Sequence, residues 1–319
     1  MTVVDVTEIS RSWPERAGAP TRGPMVGPRR AVAAACAAAV LALVGCAEEP
    51  EPPAPVTVSG EDGLIPTLTY DAPLVVEDSI VEVVWEGTGD RVVDGQPILV
   101  HYYAEQGNDG SVINETYSTE PKPYLLTAEA LGLEIYNALS GKRVGSRILH
   151  VAPPDPGESS ATVAVFDLLP IRAHGEEVAP REGLPTVSLS ARGVPSVEVP
   201  DTPPPTDLVV QPLIRGNGPQ VVAGQVITVQ YLGVTWDGTE FDSSWDAGEL
   251  PVSFPIGTGS LITGWDEGLV EQTVGSQVLL IVPPHLGYGG SQNELAEQTL
   301  VFVVDILASS GGPDQASQP

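Results

Sequence analysis

The stretch "GSLITGWDEGL", Gly259–Leu269, poses the question on which the fold turns. Ile262, Trp265 and Leu269 fall at i, i+3 and i+7, one face of a short helix. Glycine weakens a helix interior by about 1 kcal/mol relative to alanine. Yet Gly264 stands directly before the bulkiest side chain, in a chain that is only 5% aromatic. On both sides the pattern changes. "DLVVQPLI" (Asp207–Ile214), "QVITVQYLGV" (Gln225–Val234), "LPVSFPIG" (Leu250–Gly257), "SQVLLIVPP" (Ser276–Pro284) and "TLVFVVDILAS" (Thr299–Ser309) are short runs rich in Val, Ile and aromatics. They are bounded by Gly, Pro or Asn and read as strands. One short helix among strands predicts an α+β layer architecture.

The same pattern occurs twice. "WEGTGDRVVDGQPILVHYY" (Trp85–Tyr103) lines up with "IRGNGPQVVAGQVITVQYL" (Ile214–Leu232) at an offset of 129. "GKRVGSRILHVAPP" (Gly141–Pro154) lines up with "EQTVGSQVLLIVPP" (Glu271–Pro284) at 130, and "AVFDLL" (Ala164–Leu169) with "FVVDIL" (Phe302–Leu307) at 138. A period this long is a domain duplication, not a solenoid repeat. Leu131, Ile135 and Leu139 predict the matching helix of the first copy. The expected layout is a first domain over 61–175, a proline-rich linker over 176–206 and a second domain over 207–309. A disordered tail follows over 310–319.

Composition narrows the function classes. The chain has 319 residues and a formal net charge of -28, from 14 basic and 42 acidic residues. A nucleic-acid partner is disfavoured, because phosphate binding needs clustered Lys and Arg. Near the start, Arg29 and Arg30 precede the apolar run "AVAAACAAAVLALVGC". That run is shorter than the roughly 20 residues of a spanning helix and fits a signal peptide over 1–45. Begun at Met25, the segment reads as an ordinary signal. Its end, Leu43-Val44-Gly45-Cys46, resembles the bacterial lipobox, which implies cleavage before Cys46 and lipidation of its thiol. The expected location is then extracytoplasmic, on the outer face of a bacterial cell membrane, with a disordered Pro/Glu-rich tether over 46–60. The four histidines are scattered without metal-ligand spacing. No nucleophile–base pair or phosphate-cradling loop stands out, so neither a metal nor a cofactor is expected.

With these motifs in order, the second copy resembles the FKBP-type peptidyl-prolyl isomerases from Asp207 to Ser309. The resemblance rests on "VQYLG" (Val229–Gly233), "DGTEFDSS" (Asp237–Ser244), "PVSFPIGTGSLITGWDEGL" (Pro251–Leu269), "VGS" (Val274–Ser276), "PPHLGYGG" (Pro283–Gly290) and "TLVFVVDIL" (Thr299–Leu307). It implies two FKBP-like domains, each a curved antiparallel sheet wrapped around one short helix, the first domain degenerate. It implies an apolar pocket with Trp265 as its floor. Tyr231, Phe241, Phe254, Leu261, Ile262 and Phe302 would form its walls. The Ile262 N–H would hold the carbonyl beside the substrate proline, Tyr288 would donate its hydroxyl from a loop above, and Asp242 would sit at the rim beside Tyr231. Gly264 would leave room where helix and ligand meet.

The resemblance also implies the chemistry and the partners. The activity is cis-trans isomerisation of X–Pro bonds, in proline-containing exported polypeptides; macrolides such as tacrolimus would occupy the same pocket. Two positions depart from the family pattern. Val252 replaces a common wall aromatic, and Glu294-Leu295-Ala296-Glu297 replaces an Ile-Pro-Pro-like step; both Val252 and Leu295 are still expected to touch substrate. In the first copy Ile135, Glu134, Asn114 and Ile113 stand where Trp265, Gly264, Asp242 and Phe241 do, and its tyrosines suit an edge or polar surface. The alternative is a non-catalytic polypeptide-binding or chaperone lipoprotein.

Overall fold

A computed structural model describes residues 55–154, 157 and 160–311. The signal peptide, Cys46 and most of the C-terminal tail lie outside these residues. The first copy runs β1 (Thr57–Ser59), β2 (Thr67–Thr69), β3 (Ile80–Trp85), β4 (Pro97–Gln106), β5 (Val112–Glu115) and β6 (Lys122–Leu125). Two helical pieces follow, α1 (Ala128–Leu131) and α2 (Leu133–Leu139), then β7 (Arg147–Ala152) and β8 (Thr162–Leu169). The helix expected there is thus divided. Gly132, at φ 75°, caps the first piece and starts the second.

After β9 (Glu176–Glu177) the order repeats. It runs β10 (Thr186–Leu189), β11 (Pro195–Glu198), β12 (Val209–Arg215), β13 (Val226–Thr235), β14 (Glu240–Ser243), β15 (Val252–Pro255), α3 (Thr263–Leu269), β16 (Gln277–Val282) and β17 (Leu300–Ser310). Each copy builds one antiparallel sheet. The first has the order β3-β7-β8-β4-β5 with β6 also on β4; the second has β9-β12-β16-β17-β13-β14 with β15 also on β13.

Antiparallel sheets commonly leave one face in water. These bury both. All six residues of β16 are buried. Val278, Leu280 and Val282 join Trp265 and Leu269 of α3 in an inner cluster. The alternate residues, Leu279 and Ile281, join Leu232, Val234, Val301 and Val303 in an outer cluster. The outer cluster is covered by Leu184, Val187, Val197 and Val199, from and beside the β10–β11 hairpin. The first copy does the same. Leu149, Val151, Val163 and Val165 are covered by Val56, Val58, Leu68 and Leu74, around the β1–β2 hairpin.

The hairpins correct two expectations. Thr57–Ser59, expected in a disordered tether, form β1, and the stretch expected as a plain linker carries β9, β10 and β11. The physical cause is alternation: Val58 and Leu68, like Val187 and Val197, point inward between polar neighbours. The offset of 129 also extends to "TVS" at 57–59 and 186–188 and to Pro66 and Pro195, so the duplicated unit includes its hairpin.

A buried carboxylate on the outer side ties each copy to its surroundings. Asp167 accepts Arg147 Nε at 2.7 Å and Nη2 at 2.6 Å, and Nη2 also reaches Leu64 O at 3.0 Å on the hairpin loop. In the second copy Gln277 replaces the arginine. Asp305 accepts Gln277 Nε2 and the Ala173 N–H, each at 2.8 Å. Burial outweighs these donors and pushes the Asp305 carboxyl up to about 6.

A fragment spanning 207–319 therefore lacks the cover of its outer face, whereas one spanning 183–319 keeps it. Fully burying a Val or Leu side chain is worth about 1.5–3 kcal/mol. With four such side chains removed, the shorter fragment should be less stable by several kcal/mol and bind a hydrophobic dye. Denaturant midpoints of the two fragments check this, and equal midpoints would refute it.

Candidate active site

The inner face of the second sheet does not close completely around α3. It leaves a cavity of about 480 Å³, lined by Tyr231, Phe241, Asp242, Phe254, Ser260, Leu261, Ile262, Thr263, Trp265, Gly287, Tyr288 and Phe302. Nine of the eleven side chains expected to form the pocket are here. Two are not. Val252 lies on β15, two residues from Phe254 and paired with Val229. On the same strand face but about 6–7 Å further along, its short side chain does not reach the cavity. Leu295 packs on the surrounding core cluster without lining the cavity. Ser260, Thr263 and Gly287 were not anticipated. Ser260 and Thr263 flank the Leu261–Ile262 pair, and that adjacency was the available signal.

The floor is an aromatic box. Around Trp265 stand Tyr231 at 5.4 Å, Phe302 at 5.4 Å and Phe254 at 5.6 Å between ring centroids, each at an interplanar angle of 86°. Phe241 meets Phe302 at 5.6 Å and 89°. Edge-to-face contacts of this kind match a ring's positive rim to its neighbour's negative face. They hold the indole rigidly at 5% exposure, where it still lines the cavity. The indole Nε1 is buried without a hydrogen-bond partner among the described residues. The ring is therefore placed by its shape and its contacts.

The polar groups sit around this floor. Tyr231 donates its hydroxyl to Asp242 Oδ2 at 2.7 Å. Burial first, then the hydrogen bond to Asp242, holds the phenol above its ordinary range, so it keeps its proton. Ile262 is the N-cap of α3, with an extended backbone (φ −61°, ψ 144°). Its N–H lies ahead of the helical ladder. Asp266 fixes the approach to this point, accepting the Gly257 and Gly259 N–H groups at 2.7 Å each. Tyr288 follows the 3₁₀ turn Pro284–Leu286, where Gly289 donates its N–H to Pro284 O at 2.7 Å. A Cβ on Gly289 would sit 2.5 Å from that oxygen, so the turn beside Tyr288 requires glycine.

Gly264, expected to leave room where helix and ligand meet, packs against the sheet instead. A Cβ on Gly264 would lie 2.5 Å from Val282 Cγ1 and 2.7 Å from Cγ2. The glycine makes room for the sheet, not for a ligand. Gly268, one turn on, does the same against Leu280. In the first copy the matching positions exchange sizes at the first pair only: Glu134 and Ala152 stand where Gly264 and Val282 do, whereas Ala138 and His150, where Gly268 and Leu280 do, keep the small residue on the helix.

The first copy's interior is filled. Tyr102, matching Tyr231, is 1% exposed and accepts Asn114 Nδ2 on its hydroxyl at 3.0 Å. Ile135 and Tyr124, matching Trp265 and Phe254, are buried in the same cluster as Leu131, Leu139 and Phe166. Tyr117 is also buried and donates to Asp167 at 2.7 Å. These tyrosines were expected at edges. Polar partners inside the fold let them go into the core instead.

The family model for FKBP-type peptidyl-prolyl cis-trans isomerase matches residues 218–307. An FK506-binding protein of Streptomyces anulatus is 41% identical over 119 residues, covering 36% of this chain and 95% of the relative. A probable FK506-binding protein of Corynebacterium glutamicum is 41% identical over 118 residues, covering 36% of this chain and 98% of the relative. Among solved structures, FkpA from Escherichia coli is similar at 33% identity and a TM-score of 0.31, covering 42% of this chain and 54% of that one.

Gly264→Ala separates the two accounts of the glycine. Helix propensity alone predicts a gain of about 1 kcal/mol. Overpacking against Val282 predicts a net loss of roughly 1–3 kcal/mol. Chemical denaturation should show the loss, and pairing Gly264→Ala with Val282→Ala, which places at 282 the residue type the first copy has at Ala152, should recover part of it.

Proposed function

The chain belongs to the FKBP-type peptidyl-prolyl cis-trans isomerases, and on that premise we propose that X–Pro bonds are turned in the Trp265 cavity and not in the first copy. The observation that carries this is the aromatic box: an open apolar floor in one copy, a filled interior in the other. Rotation about a peptide bond is opposed by roughly 18–20 kcal/mol of lost resonance. The twisted amide carries less charge on its carbonyl oxygen than the planar one. A dry apolar cavity therefore favours the twisted state relative to the planar state. The proline ring rests on the Trp265 face. The Ile262 N–H holds the preceding carbonyl, and the Tyr288 hydroxyl donates from the loop above. Differential binding of the twisted form supplies the acceleration, with no acid, base or covalent intermediate. Each tenfold needs only about 1.4 kcal/mol. Macrolides of the FK506 class occupy the same cavity.

The substrates are exported polypeptides, and the chain is held on the outer face of a bacterial membrane by lipid on Cys46. Arg29-Arg30, the apolar run and Leu43-Val44-Gly45-Cys46 support this part of the reading.

In the full chain, Trp265→Leu should lower kcat/KM on a proline peptide at least about tenfold, equivalent to 1.4 kcal/mol. Ile135→Val, at the matching position, should leave it unchanged. Tacrolimus should inhibit the wild type. Full activity in Trp265→Leu, with thermal melting to confirm folding, would move the site elsewhere. For the anchor, Cys46→Ala expressed in a bacterium that lipidates exported proteins should abolish lipid labelling and leave the precursor uncut or released. Normal processing and membrane retention would end that part of the reading.

A further inference from the structure

The cavity's rim carries charge of one sign. Asp242 is the one ionisable carboxylate among the lining residues, and it is exposed. Glu249, exposed on the loop between β14 and β15, lies close enough to act electrostatically on the Tyr231 hydroxyl alongside Asp242. The loop beyond Tyr288 adds Glu294 and Glu297, both exposed, on either side of Leu295. Leu295 packs on the same core cluster as Trp265 and Tyr288, and the loop that carries the two carboxylates follows directly on Tyr288, which lines the cavity. Between 207 and 311 there are twelve Asp and Glu against a single arginine, Arg215, which sits on β12 opposite Glu176 of the edge strand β9; from the preceding segment, Arg172 and Arg192 line a separate hollow together with Asp246 and Glu249.

We propose that this site, read as the isomerase cavity, selects X–Pro segments that carry lysine or arginine at the residue before the proline. The apolar floor takes the proline ring whatever its neighbours. The carboxylates around it then discriminate by charge: they attract a cationic segment and repel an acidic one. Fields of one sign around a low-dielectric cleft raise the local concentration of the opposite charge. Such a preference fades with salt, because exposed charges are screened beyond about 8 Å at physiological ionic strength.

The test uses the full chain and three peptides that differ only before proline: Ala-Lys-Pro-Phe, Ala-Gln-Pro-Phe and Ala-Glu-Pro-Phe. At about 20 mM salt, kcat/KM for the Lys peptide should exceed that for the Glu peptide roughly tenfold, shrinking to about twofold at about 500 mM as the Debye length falls. The variant Glu249→Gln/Glu294→Gln/Glu297→Gln should lower the low-salt ratio at least about threefold, with the Gln peptide as the reference for an intact site. Equal Lys and Glu values with normal Gln turnover would overturn the proposal. So would a ratio that the triple variant leaves untouched. Absence of turnover on all three peptides would instead overturn the isomerase reading on which the proposal stands.

Discussion

The contact between α3 and β16 sets the geometry of everything around the cavity. Gly264 and Gly268 present no side chain to the sheet, so Val282 and Leu280 fill the space that a Cβ would occupy. The helix therefore lies close on the strands. Trp265, adjacent to Gly264, is lowered with it into the core, and three rings stand against it at near right angles. A more distant helix would leave the indole loose. A closely packed aromatic neighbour in place of the cavity would bury its face. The floor exists because the helix has little choice of height.

The two copies show how one scaffold yields an open interior and a filled one. Large and small are exchanged at one helix–strand pair, Gly264 and Val282 against Glu134 and Ala152, and kept at the next, Gly268 and Leu280 against Ala138 and His150. The decisive difference is in the rings. Trp265, Phe254 and Phe302 belong to the second core and also line its cavity, whereas Ile135, Tyr124 and Phe166 are buried within the first core. The Tyr102 hydroxyl, partnered by Asn114, is satisfied inside the fold; the Tyr231 hydroxyl is turned to Asp242 at the rim. A single exchange of Asp for Asn thus accompanies the difference between a polar rim and a closed core.

The outer faces follow a second rule. A sheet whose strands are apolar on both sides needs cover on both sides. The helices cover one face. A short hairpin ahead of each sheet covers the other, and a buried carboxylate fixes the neighbouring chain: Asp167 through Arg147 to the hairpin loop, Asp305 directly to the Ala173 N–H. The connection between the copies is thereby part of the folded body of the second one.

Much of this was legible without coordinates. Runs rich in Val, Ile and aromatics between turn residues marked β12, β13, β15, β16 and β17, the internal repeat carried that pattern to β4, β7 and β8, the i, i+3, i+7 spacing marked α3, and the ordered motifs named nine of the side chains that line one cavity. Those signals are local, or repeated in a fixed order, and a chain carries them openly. Other features depended on partners far apart in the chain. Periodicity says which face a residue occupies but not what it meets there, so Gly264 could not be assigned to Val282, nor Val252 be kept from the cavity that Phe254 reaches. Proline-rich composition hid the hairpins, because three- and four-residue strands are stabilised by the sheet they cover and not by their own propensity. The buried tyrosines of the first copy needed Asn114 and Asp167 in place before burial became favourable. In each case the energy lies in a contact between distant segments, and only the folded chain brings those segments together.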